Sequence, residues 1–312
     1  MKTAIKTTTN KPKLSVSEII TQALIAKIKT DGVLPWEKDW EGSIVGPNAP
    51  RNITSKAAYR GINIWALTIA GFKSPWWGSY KQWAALGGQV TKGSKGTRIR
   101  YVPTVWVDAN GNQVKHDDPA RVKRVFRRPK YYTVFNIEQV EGVDAPKPKT
   151  PEKPTVAPLP AADALLADYK TAPPVSHGGD ACYYLPSSDR IQMAHREAFK
   201  SPEGYYATLF HEHIHGTGHE SRLDREGITK ATSFGNDQYA YEELVAELGA
   251  AFLSSLTGVW DDAVEGRSAA YLQSWLKKFE SDPEMLVTAA SEAQRAAEYI
   301  IGCKLDDYPP LD

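Results

Sequence analysis

The segment His211-Glu212-His213-Ile214-His215 has the residue types and the spacing of a metal-dependent hydrolytic site. Residues four apart on a helix share one face, so the imidazoles of His211 and His215 can bind one ion. Glu212 is rotated by about 100° around the helix. Its carboxylate can therefore deprotonate a water on the metal and pass the proton to a leaving amine. Zn²⁺ suits this chemistry, because it brings the pKa of its bound water to about 7. Another divalent ion such as Mn²⁺ is the alternative.

A catalytic metal site also needs a third protein ligand, and residues 241–247 (YEELVAE) offer acids on a second predicted helix. The arrangement resembles that of the gluzincins, in which one helix contributes two histidines and another contributes a glutamate. Matching the small residue before the second acid to that pattern implies that Glu243 is the ligand and that Glu247 orients a metal-binding histidine. A carboxylate on the far ring nitrogen fixes the tautomer of the imidazole. Tyr239 or Tyr241 is a candidate donor to the oxyanion.

Other residues compete for the third ligand position. His219 lies four residues beyond His215, but the glycines between them disfavour a continued helix. Metzincin spacing requires histidine at position 221, which is Ser221. His213 points away from the face that carries the other two histidines, so we expect it to be structural. The acids of the second helix can also form a solvated face, although their apolar surroundings (VAELGAAFL) favour a ligand role.

The first 140 residues combine positive charge with aromatic side chains. They carry 23 lysines and arginines against 9 acids, a net charge of +14, whereas residues 141–312 carry 15 against 28, a net charge of −13. Seven of the nine tryptophans lie in the positive half. Bases of single-stranded nucleic acid stack on aromatic rings while lysines and arginines follow the phosphates. We therefore expect single-stranded DNA as the partner of this half.

Two segments are the strongest candidates for phosphate contacts. Residues 121–130 (RVKRVFRRPK) contain six basic side chains in ten, and residues 92–98 (KGSKGTR) form a basic loop. Tryptophans are mostly buried residues, and Trp65 and Trp83 are expected in the core. The residues predicted to contact DNA are Trp36, Trp76, Trp77, Lys92, Lys95, Arg98, Arg121, Lys123, Arg124, Arg127, Arg128 and Lys130.

Capping residues and hydrophobic periodicity predict the helices and strands that position these side chains. Ser15 and Glu18 form a capping box before an amphipathic helix, and Ser201-Pro202 combines a capping residue with proline at the first helical position. Alternating segments predict strands. The predicted helices begin after Ser15, at 62 and after Ser79, and cover 161–169, 202–217, 238–256, 266–279 and 283–301. The predicted strands cover 98–107, 121–126, 131–137, 181–185 and 190–194.

A proline-rich segment separates the two halves. Residues 144–160 contain six prolines in 17 residues and lie close to the change in charge. Such a segment acts as a semi-rigid spacer. The predicted class is α+β with two domains. Residues 1–13 are a disordered arm, 14–143 an α+β DNA-binding domain, 144–160 the linker, and 161–312 a mainly helical domain with a small β-sheet.

The composition also excludes several classes of protein. No apolar run approaches the ~20 residues of a membrane-spanning helix. The first residues, MKTAIKTTTNKPK, lack the apolar region of a secretion signal. Two cysteines, Cys182 and Cys303, are too few for a disulfide framework. These features predict no membrane partner and a cytoplasmic setting.

Taken together, the motifs of both halves resemble the ArdC family of plasmid-borne antirestriction proteins. The segments that carry the resemblance are 35–36 (PW), 50–54 (PRNIT), 59–63 (YRGIN), 83–88, 92–96 (KGSKG), 135–136 (FN), 211–225 (HEHIHGTGHESRLDR) and 239–253 (YAYEELVAELGAAFL). The resemblance implies a single-stranded-DNA-binding domain followed by a zincin-like metallopeptidase domain, and protection of incoming conjugative DNA from restriction. It agrees with His211, His215 and Glu243 as zinc ligands and Glu212 as the base.

The sequence leaves two alternative interpretations of the protein's function open. One is a non-enzymatic DNA-binding protein whose metal site is structural or vestigial. The other is a metallo-nuclease, which is disfavoured because a single metal ion with a glutamate base on this helix pattern favours acyl chemistry. If the site is a peptidase, its protein or peptide substrate is not specified by the sequence. The opposite charges of the halves also predict that the acidic half docks on the basic one.

Overall fold

The computed structural model describes residues 14–31, 44–46, 49–115, 117–144, 146, 158–230, 237–259 and 269–308. The predicted arm of residues 1–13, most of the proline-rich segment and Trp36 lie outside these ranges. Helices and several small sheets are both present among the described residues, so the predicted α+β class is confirmed. None of the described helices has the length and apolar character needed to cross a bilayer.

The helices begin where the sequence provides caps. Ser15 and Glu18 bond to each other's backbone amides before the first helix, and Ser79 with Gln82 does the same before the third. Ser201 accepts a hydrogen bond from the Gly204 amide. The helices are α1 (Val16–Asp31), α2 (Ile62–Thr68), α3 (Tyr80–Ala85), α4 (Pro158–Ala167), α5 (Pro202–Thr217), α6 (Glu226–Thr229), α7 (Asp237–Thr257), α8 (Ala269–Ser281) and α9 (Pro283–Ile301).

The strands form four small sheets among the described residues. The orders are β1-β2-β8-β4, β3-β9, β6-β5-β7 and β10-β12-β11, and the last of these precedes α5 in the chain. The strands are β1 (Arg51–Asn52), β2 (Trp76–Ser79), β3 (Gln89–Val90), β4 (Thr97–Tyr101), β5 (Thr104–Val107), β6 (Gln113–Val114), β7 (Lys123–Phe126), β8 (Lys130–Asn136), β9 (Val140–Glu141), β10 (Val175–His177), β11 (Tyr183–Leu185) and β12 (Arg190–Met193).

The single strand predicted at 98–107 is interrupted, and it forms β4 and β5. Pro103 lies in the gap, and it cannot donate a ladder hydrogen bond. Tyr101 pairs with Lys130, whereas Thr104 pairs with Phe126. Two residues of one strand therefore face three of the other, which is a β-bulge. The strand predictions at 121–126 and 131–137 correspond to β7 and β8.

The main hydrophobic core joins helices from both halves of the chain. Leu24 of α1 and Trp65 of α2 are each 1% exposed and belong to the same cluster as Phe252 of α7. The rings of Trp65 and Phe252 lie 5.5 Å apart. Removing the second half would expose the buried faces of α1 and α2, so DNA-binding experiments require the full chain.

Ion pairs also connect the two halves at this junction. Arg60 lies 2.8 Å from Glu298, Arg100 lies 3.3 Å from Glu284, and Lys29 lies 3.0 Å from Glu280. None of these three basic residues belongs to the predicted DNA contacts. Partly exposed ion pairs contribute little to stability, so the shared apolar core dominates this junction.

Candidate metal centre and nucleic-acid interface

Helix α5 brings the two spaced histidines together. The Nε2 atoms of His211 and His215 lie 3.0 Å apart, because the residues are one turn apart on the same face. The helix begins at Pro202 after its Ser201 cap, as the sequence predicts. It ends at Thr217, with Gly218 as its C-terminal cap.

Helix α7 places Glu243 against both histidines. Its carboxylate oxygens lie 3.5 Å from His211 Nε2 and 3.5 Å from His215 Nε2. The two helices can approach closely at Gly249, where a Cβ atom would lie 2.7 Å from the side chain of Ile214. Potential ligand atoms of His211, His215 and Glu243 all lie within 4.8 Å of one another.

The spacing of these three donors fits a divalent ion. Around tetrahedral Zn²⁺ with bonds of about 2.0–2.1 Å, neighbouring ligand atoms are separated by roughly 3.3 Å. The two Nε2 atoms are 3.0 Å apart, and each lies 3.5 Å from a different carboxylate oxygen of Glu243, so all three distances are close to that value. Two imidazoles and one carboxylate also form a donor set that both Zn²⁺ and Mn²⁺ accept.

Each histidine also faces an acid with its other ring nitrogen. His211 Nδ1 lies 3.5 Å from Glu247 Oε1, and His215 Nδ1 lies 3.5 Å from Glu242 Oε1. Such carboxylates favour the proton on Nδ1 and leave Nε2 free for a metal. The sequence predicts this type of role for Glu247. It does not predict one for Glu242, because residues 242 and 243 are both glutamate and only the packing of α7 shows which histidine nitrogen each one faces.

The electrostatics of the pocket favour a cation. Burial alone would lower the pKa of His215, but the Glu242 and Glu243 carboxylates outweigh burial and raise it to about 10. Burial raises the pKa of Glu243, yet the two histidines hold it well below its usual range. Glu212 is buried, and its charge raises the pKa of both metal-facing histidines. Without a cation, the pocket therefore draws protons onto its histidines.

Arg225 anchors Glu242 behind His215. Its Nε lies 3.2 and 3.1 Å from the two carboxylate oxygens, and the pair is buried. Arg225 also donates to the Ile214 carbonyl at 2.8 Å and to the Thr217 hydroxyl at 2.6 Å. The loop after α5 is thereby tied to the end of that helix and to α7. A buried carboxylate held at several points is a rigid support for an imidazole.

We predict that Glu242→Gln weakens metal binding by about 10- to 100-fold, the usual effect of removing an acid that orients a ligand. The substitution keeps the shape of the side chain but removes the charge facing His215. Competition with a chromophoric chelator measures the affinity. Asp189→Asn is the matched control, because Asp189 pairs with Arg222 near the same loop and has no contact with His215. Equal losses in both variants, or unchanged affinity in Glu242→Gln, would contradict the assignment.

The other candidates for the third ligand do not join this cluster. His213 is buried edge-on to Tyr169, and burial lowers its pKa to about 3, which keeps the ring neutral. His219 Nδ1 lies 2.8 Å from the hydroxyl of Ser221. Tyr241, a candidate oxyanion donor, instead lines a cavity of about 490 Å³ that also borders Arg225.

The burial of Trp76 and Trp77 contradicts the prediction that their rings contact DNA. Trp77 is 1% exposed and packs edge-on to Phe72, and Trp76 is 9% exposed with Lys56 over its ring at 4.7 Å. Neither ring offers a free face to a base, because β2 pairs on both sides within its sheet and packs into apolar clusters. The burial predicted for Trp65 and Trp83 is confirmed. Trp36 lies outside the described residues.

The basic residues predicted to contact DNA are exposed. This group consists of Lys92, Lys95, Arg98, Arg121, Lys123, Arg124, Arg127, Arg128 and Lys130. Exposed aromatic side chains accompany them on the same strands and were missed from the sequence: Phe126 is 74% exposed, Tyr101 53%, Tyr132 44% and Tyr131 37%. One feature of the sequence indicates that Phe126 is exposed, namely its position within a run of arginines. Such a run stays at the surface because unpaired arginines do not enter an apolar core.

Two known protein families match this chain, one in each half. The family described as "N-terminal domain of anti-restriction factor ArdC" matches residues 15–135, and the family described as "Zincin-like metallopeptidase" matches residues 160–292. The chain is 37% identical to the uncharacterized protein y4eC of Sinorhizobium fredii, with 91% of each chain covered. It is 36% identical over 294 residues to a DNA primase TraC of Escherichia coli. The match spans 91% of this chain but 27% of that primase, and 20% of a second TraC.

Solved structures show the same similarity over most of the chain. The metal-free crystal structure of the antirestriction protein ArdC from plasmid R388 superposes with a TM-score of 0.67 at 33% identity. It covers 92% of this chain and 97% of that one. The Mn(II)-bound structure of the same protein gives a TM-score of 0.68 at 32% identity, with the same coverage.

Proposed function

Because this chain belongs to the ArdC family of antirestriction proteins, we propose that it binds single-stranded DNA and protects incoming plasmid DNA from restriction. We further propose that its zincin-like domain carries a divalent-metal site competent for peptide hydrolysis. Two separate features of one chain support these proposals. One is the cluster of His211, His215 and Glu243, and the other is an exposed basic and aromatic surface.

The metal half of the proposal rests on the donor geometry. His211, His215 and Glu243 would hold the ion, and a relative with the same architecture has an Mn(II)-bound crystal structure. Both Zn²⁺ and Mn²⁺ are consistent with the donors. When bound, such an ion polarises a scissile carbonyl and lowers the pKa of a nearby water.

The protein's own residues then move the protons. The Glu212 carboxylate takes a proton from the attacking water as the new carbon–oxygen bond forms. It donates that proton to the amide nitrogen as the carbon–nitrogen bond breaks. Glu242 and Glu247 hold the imidazoles in the tautomer with a free Nε2. Burial of Glu212 keeps this exchange away from bulk water, which strengthens the interactions involved.

The DNA half of the proposal rests on charge and exposure. Residues 119–137 contain no acid, and all nine described basic residues predicted to contact DNA are exposed. A surface of this kind attracts phosphates, and binding releases the counterions that surround them. Protection from restriction then follows if the bound strand is withheld from the host nuclease during transfer.

We predict a steep salt dependence of single-strand binding that depends on specific arginines. For single strands, the slope of log affinity against log salt changes by about 0.7 for each phosphate contact. Replacing both Arg127 and Arg128 by alanine should therefore reduce the slope by about 1.4. Fluorescence anisotropy of a labelled oligonucleotide between roughly 50 and 200 mM salt gives the slope.

The control for this measurement has the same change in net charge. Replacing Lys170 and Lys230 by alanine removes two positive charges from the second half of the chain, where both side chains lie beside acids. This variant should keep the wild-type slope. An equal reduction in both double variants would show that net charge alone governs binding, and would contradict a localised site.

A further inference from the structure

Strands β4 and β5 lie beside β8 and β7 in two successive antiparallel pairs, which we call the ribbon. The first pair belongs to the four-stranded sheet and the second to the three-stranded sheet. β4 pairs with β8 and β5 pairs with β7, and the Arg127 amide donates to the Pro103 carbonyl at 2.8 Å between the two pairs. The bulge opposite Pro103 contains Arg127 and Arg128. A bulge bends the strand and increases its twist. Arg127 and Arg128 therefore lie at the junction of the two strand pairs.

One face of the outer part of the ribbon is aromatic and basic. Phe126 and Arg124 are two residues apart on β7, so their side chains leave the same face. They pair across the ribbon with Thr104 and Trp106 of β5. The Arg124 guanidinium donates to the Thr104 hydroxyl at 2.8 Å, and the Arg121 guanidinium lies 5.1 Å over the Trp106 ring. The Arg121 guanidinium thus lies over the Trp106 ring, and the Arg124 guanidinium bonds to Thr104, the residue paired with Phe126.

Phe126 is the most exposed of the large apolar side chains that the structure describes. It is 74% exposed, although the ribbon has buried positions such as Val107 at 5%. An exposed phenylalanine between arginines gains nothing for the fold, since its apolar surface remains in water. The rings of Trp106 and Phe126 are diagonal neighbours, with Cα atoms about 7–8 Å apart. Phe126 therefore remains available to a planar ligand.

We propose that single-stranded DNA lies along this ribbon face, with a base stacked on Phe126 and phosphates bound by Arg121 and Arg124. This inference rests on the proposed DNA-binding function and assigns it to one element. It places the stacking contact on the β5–β7 face instead of on the tryptophans of the core. An unpaired base presents its ring face, whereas a duplex presents only edges and backbone, so stacking selects the single strand. The absence of acids in residues 119–137 favours an anionic strand over a protein partner.

The test measures the affinity of the full chain for a labelled single-stranded oligonucleotide and for a duplex of the same sequence. Phe126→Ala should weaken single-strand binding by about 5- to 150-fold, the usual range for losing one base–aromatic contact. The salt slope should stay unchanged, because no phosphate contact is removed. Phe126→Tyr should restore binding, since it keeps a ring of the same size.

Two variants provide matched controls for the loss of exposed apolar surface. Val122→Ala removes a 63% exposed aliphatic group from the residue just before β7, and Tyr80→Ala removes a 50% exposed ring outside the ribbon. Both should bind the single strand as the wild type does. Thermal unfolding of all variants should coincide within a few degrees, because these side chains are exposed.

The outcomes separate this inference from the function on which it rests. If the wild-type chain binds no single strand, the proposed DNA-binding function fails. If the wild type binds and Phe126→Ala binds equally well, the ribbon-face inference is overturned. Equal weakening for duplex and single strand would indicate groove or backbone contact without stacking, and would also overturn it. Intact DNA binding together with lost self-association of Phe126→Ala would assign the face to a protein contact instead.

Discussion

Replacing Glu212 by glutamine should lower the rate of metal-dependent peptide hydrolysis by about 10²- to 10⁴-fold, the usual contribution of a general base. Glutamine keeps the size of the side chain but cannot accept the proton of the attacking water. His211, His215 and Glu243 are untouched, so metal content should remain at the wild-type level. Cleavage of fluorescently labelled casein by the Zn²⁺- or Mn²⁺-loaded chain measures the rate, and a metal assay measures the content.

Glu220→Gln is the matched control for this substitution. Glu220 belongs to the same motif but is exposed and follows α5. Its replacement should leave hydrolysis unchanged. Wild-type activity in Glu212→Gln would assign the base to another residue. Cleavage of labelled single-stranded DNA by the metal-loaded wild type would instead favour the metallo-nuclease alternative.

The same variant separates hydrolysis from protection. Glu212 lies in α5 of the zincin-like domain, and the exposed basic residues lie on the ribbon and the preceding loop, so Glu212→Gln should bind DNA as the wild type does. A conjugation assay into a restricting recipient then decides which site protects the incoming strand. Surviving protection would show that DNA binding suffices, and lost protection would show that hydrolysis is required.

Replacing Glu243 by alanine should weaken metal binding by more than about 100-fold. Removing an acid that only orients a ligand already costs about 10- to 100-fold, and Glu243 faces the Nε2 atoms that would bind the ion. A ligand that binds the folded state raises its stability, by about 2.7 kcal/mol at a concentration of 100 times Kd. Added Zn²⁺ or Mn²⁺ should therefore raise the Tm of the wild type and leave that of Glu243→Ala almost unchanged.

The control for this prediction is again Glu220→Gln, which should show the wild-type increase in Tm. The comparison of each variant with and without metal removes any effect of the substitution on the metal-free fold. A normal metal-induced increase in Glu243→Ala would show that the ion has a different third ligand. His219 would then be the next residue to replace, because it follows the same helix.

Local features of this chain are well specified by its sequence. The Ser79–Gln82 capping box, the Ser201 cap with Pro202, and the start of α9 at Pro283 all appear where the residue types predict them. The position of His211 and His215 on one face of α5 follows from helix geometry alone. These features depend on contacts within a few residues, so neighbouring residues determine them.

Long-range features are less accessible from the sequence. Trp77 becomes a core residue because β2 lies between β1 and β8, and that pairing joins residues 77 and 136. Charge and aromatic content along the chain do not indicate which rings such a pairing covers. The role of Glu242 also depends on how α7 packs on α5, and the presence of α1 in the main core crosses the charge boundary.

The central claim is that His211, His215 and Glu243 hold one divalent ion, and a crystal structure of the metal-loaded chain with anomalous diffraction at the metal edge tests it most directly. We predict one anomalous peak in contact with Nε2 of both histidines and with the carboxylate of Glu243. Glu242 and Glu247 should remain beside the Nδ1 atoms. A peak bound without Glu243, a peak at His213 or His219, or no peak at this cluster would contradict the claim.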